Sequence, residues 1–149
     1  MHVPKLEPFL SFDGNCAEAF KFYERVLEAK IVGITTYADR LHGNCPPADA
    51  NKVMHGVLHL GSQVIRASDR TSEQPYDGIK GCWLSIDYPT AIAAKEVFVA
   101  LSEGGRIAMA IDKTFWAAAF GMTTDRFGVP WMVSCNGGVN ALPPVEPLR

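Results

Sequence analysis

Residues able to bind a metal or move a proton gather in one stretch of the chain, His42-x-x-Cys45 followed by His55-x-x-x-His59. The string has the look of zinc-ligand spacing, since imidazole nitrogen and thiolate sulfur are that ion's usual donors. Whether the groups converge depends on the backbone that carries them. Histidines four apart meet on one face of a helix, but on a strand they stand ~13 Å apart, too far to share an ion. Gly56 and Gly61 disfavour a helix here, so the zinc reading is set aside. His55 and His59 are expected instead as polar residues lining a partly wet cleft, each able to act as acid or base near neutral pH. The four cysteines, Cys16, Cys45, Cys82 and Cys135, lie far apart with no C-x-x-C pair, which suits a reduced intracellular protein better than a disulfide framework. None has the basic neighbour that would favour a thiolate nucleophile. Gly104-Gly105 and Gly137-Gly138 do not lead from a strand into a helix, so no phosphate cradle is read. No G-x-S-x-G elbow occurs, and a turn accounts for Asp125 and Arg126.

The chain that must position these groups has 149 residues, 14 Lys and Arg against 16 Asp and Glu, and 48% hydrophobic residues. That length makes one compact domain, or two small modules sharing a core, and the composition is that of a folded chain. With a net charge of −2 and no basic run, nothing neutralises phosphates, so no nucleic-acid partner is expected. No apolar run approaches the ~20 residues of a membrane helix. Residues 1–8 contain Lys5 and Glu7 and no signal-peptide core. A cytoplasmic protein without membrane contact is the expectation.

An internal repeat organises the elements. Leu10-Ser11-Phe12-Asp13 precedes a helical pattern ending near Ala29-Lys30-Ile31, and Leu84-Ser85-Ile86-Asp87 precedes another ending near Gly105-Arg106-Ile107. Each copy reads as a strand feeding a helix that feeds another strand. The first helix is expected over residues 16–28, with Asn15 as its cap, Glu18 at the third helical position, and Cys16, Ala19, Phe20, Tyr23, Val26 and Leu27 as its buried stripe. The second starts near Pro89 and buries Ala91, Ala94, Val97, Phe98 and Leu101 before Gly104-Gly105 stops it. Gly61-Ser62 marks a hairpin within 53–65, and strands are expected over 81–87, 107–111, 122–124 and 129–135. Residues 39–51 and 68–80 read as loops, and the proline-rich chain beyond Gly137 as an extended tail. The order is β-α-β-β-β twice over, with modules at 1–72 and 78–136 packed as one domain.

Phe9-Leu10-Ser11-Phe12-Asp13-Gly14-Asn15-Cys16, with Ala19, Phe22-Tyr23 and Glu24, resembles the start of PhnB-like proteins. Trp116, Phe120-Gly121 and Thr124-Asp125-Arg126-Phe127-Gly128-Val129-Pro130-Trp131-Met132 are similar to their C-terminal signature. These proteins belong to the vicinal oxygen chelate superfamily, with glyoxalase I, extradiol dioxygenases and bleomycin- and fosfomycin-resistance proteins. The resemblance covers nearly the whole chain to about Cys135. It implies an α+β fold in which two βαβββ modules form an open eight-stranded barrel-like cleft, in a homodimer. Relatives are sometimes labelled demethylubiquinone methyltransferases, yet no glycine-rich cofactor loop supports that activity here.

The superfamily's metal enzymes place one His or Glu ligand on each of four cleft-facing strands. Carried over by strand phase, those positions are Glu7, His55, Gly81 and Met132. Gly81 offers no side chain and Met132 only a soft thioether, so the inherited site is expected to be broken and no cofactor is assigned. Glu7 with His55 remains the best pair for direct chemistry, against an ordinary hydrogen-bonded pair at the barrel mouth. Val57 and His59 share the cleft-facing phase of His55. Trp83, Phe115, Trp116, Phe120, Met122 and Met132 are candidates for an apolar floor and wall, the lining that small organic ligands favour; barrel core is their competing role. Three functions follow in order of expectation: a metal-free protein binding a small organic molecule, a lyase, isomerase or dioxygenase with a remodelled metal site on Glu7 and His55, and a dimer with a structural or regulatory role.

Overall fold

The computed structural model describes residues 2–136, so the proline-rich tail lies outside the described residues. The chain divides into two compact units, the first ending at Lys80 and the second beginning at Gly81. The first contains β1 (Phe9–Phe12), α1 (Cys16–Leu27), β2 (Lys30–Thr36), α2 (Tyr37–Leu41), a 3-10 turn (Pro47–Asp49), β3 (Val53–Leu60) and β4 (Gln63–Asp69). Its four-stranded sheet has the order β1-β4-β3-β2, with β1 parallel to β4 and the other pairs antiparallel. Alternation along each strand divides the sheet into two faces. Leu10, Phe12, Leu58 and Ala67 are buried with Ala19, Phe20 and Tyr23 of α1, and the Phe12 and Phe20 rings meet edge to face at 6.5 Å. Gly56 is what lets the helix approach, since a Cβ there would stand 2.9 Å from the Phe20 ring.

Two expectations for this unit are corrected. Asn15 makes no side-chain cap to α1, and its Oδ1 is buried without a partner. The Cys16 N–H donates instead to Asp69 Oδ1 at 2.9 Å. β4 runs parallel to β1, so its last residue arrives beneath the helix start, where a carboxylate complements the amide-rich terminus. The stretch expected as a loop over 39–51 carries α2 and the 3-10 turn, and β4 extends to Asp69 within the second expected loop. A capping box starts α2: Asp39 N–H donates to Thr36 Oγ1 at 3.1 Å, and Thr36 N–H donates to Asp39 Oδ2 at 3.0 Å.

The second unit repeats the order with β5 (Leu84–Asp87), α3 (Ala91–Ser102), β6 (Arg106–Asp112), β7 (Ala119–Thr124) and β8 (Pro130–Cys135). Its sheet has the order β5-β8-β7-β6, again with the first strand parallel to the last. The Leu-Ser-x-Asp repeat thus marks the same topological place twice, on β1 and on β5 with the residue after β1. Thr90 caps α3 by accepting from Ala93 N–H at 3.1 Å, and Ala94, Phe98 and Leu101 form its buried side. The turn after β7 is built on Asp125, whose Oδ1 accepts from Phe127 N–H at 2.9 Å and Val129 N–H at 3.0 Å. Its Oδ2 accepts from Trp131 Nε1 at 2.9 Å. β5 begins at Leu84, so Gly81, Cys82 and Trp83 lie outside the strand expected to include them. The fold class is α+β, two mixed sheets with helices, neither closed into a barrel. Among the described residues no helix is long and apolar enough to cross a membrane.

Candidate functional site

The face of each sheet away from its helix is where polar chemistry is available. In the first unit the row across the sheet is set by register: Phe9 of β1 lies beside Arg66 of β4, and Arg66 beside Val57 of β3. Arg66 N–H also donates to the Pro8 carbonyl at 3.0 Å, extending the β1–β4 pairing toward Glu7. This brings Glu7 to the guanidinium, with Arg66 Nε 2.5 Å from Glu7 Oε2. On the other side Arg66 Nη1 stands 3.4 Å from His55 Nε2. The His55 ring stacks on Phe9, with centroids 6.2 Å apart and planes 26° apart. Glu7, Phe9, His55 and Arg66 therefore form one array, and its centre is a cation.

Glu7 and His55 are brought together, but through Arg66 and not around an open space. His59 lies farther along β3, paired with Lys30 of β2 where His55 pairs with Thr35, so the two histidines belong to separate rows. His42 caps the end of α2 with a left-handed backbone, φ 51°. Among the described residues no three His, Cys, Asp or Glu side chains come together as a metal site requires. Gly81, expected within the strand over 81–87, sits ahead of β5 in a bend with φ 71°, as Glu7 sits ahead of β1.

In the second unit Ser85, Met132, Met122 and Met109 follow one another across β5, β8, β7 and β6. The three methionine thioethers make a soft, adaptable apolar strip. Trp116 and Phe120 meet at 5.6 Å, and Phe115 packs edge-on against Trp116 at 4.6 Å. Trp83 is half-buried just ahead of β5, while Trp131 is 2% exposed on the helix side and belongs to the core.

Sequence reasoning missed Arg66, Phe9 and Met109. The alternation was available, because Ile65, Ala67 and Asp69 share one phase of β4 and Val64, Arg66 and Ser68 the other. An arginine inside an apolar strand, in phase with a candidate histidine across a two-residue hairpin, was the signal.

Residues 4–134 match the model of a family described as 3-demethylubiquinone-9 3-methyltransferase. Protein YjdN of Escherichia coli K12 is 32% identical over 140 residues, 87% of this chain and 93% of that one. Protein PA1353 from Pseudomonas aeruginosa is 41% identical in its crystal structure, with a TM-score of 0.83 over 91% of this chain and 99% of that one. A PhnB protein from Bacillus cereus is 25% identical with a TM-score of 0.76, over 89% and 99% of the two chains. The fold extends to the trypanothione-dependent glyoxalase I of Leishmania major, 14% identical with a TM-score of 0.60 over 91% of this chain and 87% of that one.

Proposed function

This chain belongs to the PhnB-like family described as 3-demethylubiquinone-9 3-methyltransferase, within the vicinal oxygen chelate superfamily, and from that premise we propose that it binds a small organic molecule without a complete catalytic metal site. The observation that carries the reading is the guanidinium of Arg66 between Glu7 and His55. A divalent ion seated on those two donors would have to displace the guanidinium from between them or sit beside its positive charge, and either opposes binding. The other two inherited positions are Gly81 and Met132, which supply no hard donor. Phe9 in the first unit, and separately Trp116, Phe120 and the methionine strip in the second, offer aromatic and apolar surface that favours an organic ligand through stacking and dispersion.

Elemental analysis of protein purified without added metal tests this, with far less than one divalent ion per chain expected. Near one equivalent, lost on His55→Ala, would overturn the proposal and promote the lyase, isomerase or dioxygenase with a remodelled site on Glu7 and His55. The methyl transfer in the family description has little support in this chain. Asp13-Gly14-Asn15, the link from β1 into α1, has a single glycine, and Gly104-Gly105 follows a helix without opening one.

The same reading takes the chain as a cytoplasmic homodimer. All four cysteines are unpaired. Ile107 at 52% and Met109 at 47% exposure lie on β6, the edge of its sheet, and Val99 of α3 is 69% exposed; apolar strand edges of this kind are commonly covered by association.

A further inference from the structure

We propose that the Glu7–Arg66–His55 array is a carboxylate anchor, and that the organic ligand is a planar monoanion whose ring lies on Phe9. The inference rests on the small-molecule reading above and names its ligand class. A guanidinium presents two forks, one along Nε and one across its two terminal nitrogens. Glu7 occupies the Nε side at 2.5 Å and fixes the plane of the group. His55 lies beside Nη1 at 3.4 Å, and among the described residues no acceptor is recorded at Nη2. The terminal edge is left to receive a two-oxygen acceptor, which a carboxylate matches in width and planarity.

An ion pair alone does not account for the arrangement. The Arg66 side chain is 38% exposed and Glu7 19%, and a pair so placed adds little to stability. Holding a charged fork rigid beside an open aromatic face does have a use in recognition, because the ordering cost is met before the ligand arrives. Phe9 is 55% exposed and already stacked on His55, so an aromatic or conjugated ring extends an existing stack. Glu7 also sets the charge of the ligand. Glu7 and Arg66 sum to zero, so the array accepts one negative charge at the fork but repels a second. That selects a carboxylate over a phosphate or phosphonate, which carries nearly two charges at neutral pH.

The test is nuclear magnetic resonance titration of the full-length protein with benzoate, benzamide and phenylphosphonate. Benzoate is expected to shift the Arg66 Nε–H signal and the amides of Phe9, His55 and Arg66, with an affinity about tenfold above benzamide and above phenylphosphonate. Arg66→Gln is expected to abolish the difference between benzoate and benzamide. If that variant loses its dispersed spectrum, Arg66→Lys reads the same point, since it keeps the charge and loses the fork; benzoate should weaken about tenfold. Tighter binding of phenylphosphonate, equal binding of benzamide, or benzoate binding unchanged in Arg66→Lys would overturn the anchor and leave small-molecule binding standing. If neither benzoate nor any of a set of neutral aromatic fragments shifts any open-face signal of the first or second unit, the small-molecule reading falls with it.

Discussion

The carboxylate of Asp69 accepts from two buried amides, Cys16 N–H at 2.9 Å and Val53 N–H at 2.8 Å, while its carbonyl accepts from Tyr37 Oη at 2.8 Å. One residue thus ties α1, β3 and α2 to the end of β4. Asp69→Ala would orphan both amides, and since each unsatisfied buried donor costs about 1–3 kcal/mol, a loss of about 2–4 kcal/mol in urea unfolding is expected. A loss below about 1 kcal/mol would mean that water replaces the carboxylate. The neighbouring thiol gives a second test. Burial, and then the Asp69 charge, push Cys16 from its ordinary 9.0 up to about 12. Burial followed by Asp69 and Asp49 raises the Tyr37 phenol as well. Groups that hold their protons longer when folded contribute stability fully below their unfolded pKa and lose it as pH rises toward the folded value. The thermal midpoint should therefore hold below about pH 9 and fall as pH rises from there toward about 12, with Cys16→Ala removing part of the slope. Equal midpoints would contradict it. On the acid side the sign reverses. Burial pushes Asp49 upward, but Lys52 and Ser72 outweigh it and hold its carboxyl below its usual range. The Thr36 hydrogen bonds hold Asp39 low as well, so both contributions disappear as pH drops through those lowered values.

At the scale of elements, the fold depends on a few close approaches. A Cβ at Gly105 would stand 2.1 Å from the Thr124 carbonyl oxygen, whereas at Gly33 it would meet nothing within 4 Å. Backbone cannot yield as a flexible side chain can. Gly105→Ala is expected to cost about 2 kcal/mol or more, and Gly33→Ala to stay within about 0.5 kcal/mol. Comparable midpoints for the two variants in denaturant would show that the β6–β7 end relaxes freely. Periodicity made α1 legible to within a residue, and the Gly61-Ser62 hairpin was equally plain, because their signals are local. α2 was not, because five residues give too little period to detect. Its capping box, Thr36 with Asp39, is seen only in the structure. The α1 cap was misread for the opposite reason: Asn15 is the local candidate, but an acceptor 53 residues away reaches the amide first.

For the whole molecule we propose that the two units unfold together as one domain and that the native state is a homodimer. Calorimetry should show one transition whose midpoint rises with protein concentration, since association stabilises the folded form by mass action. Two separated transitions, or a midpoint independent of concentration, would refute the respective halves of that proposal. The duplicated β-α-β-β-β order, the strand phases of Leu10, Phe12 and Leu58, and the poverty of hard donors at Gly81 and Met132 were all determined by the sequence. Each follows from alternation, spacing or side-chain chemistry read along a single segment. The array at Glu7 was decided only by the tertiary structure. Its members come from β1 and the residues just ahead of it, from β3 and from β4, and the parallel pairing of β1 with β4 sets Arg66 beside Phe9 although the two are 57 residues apart in sequence. A guanidinium placed between Glu7 and His55 is a fact of strand order, and strand order is fixed by which faces must be buried together.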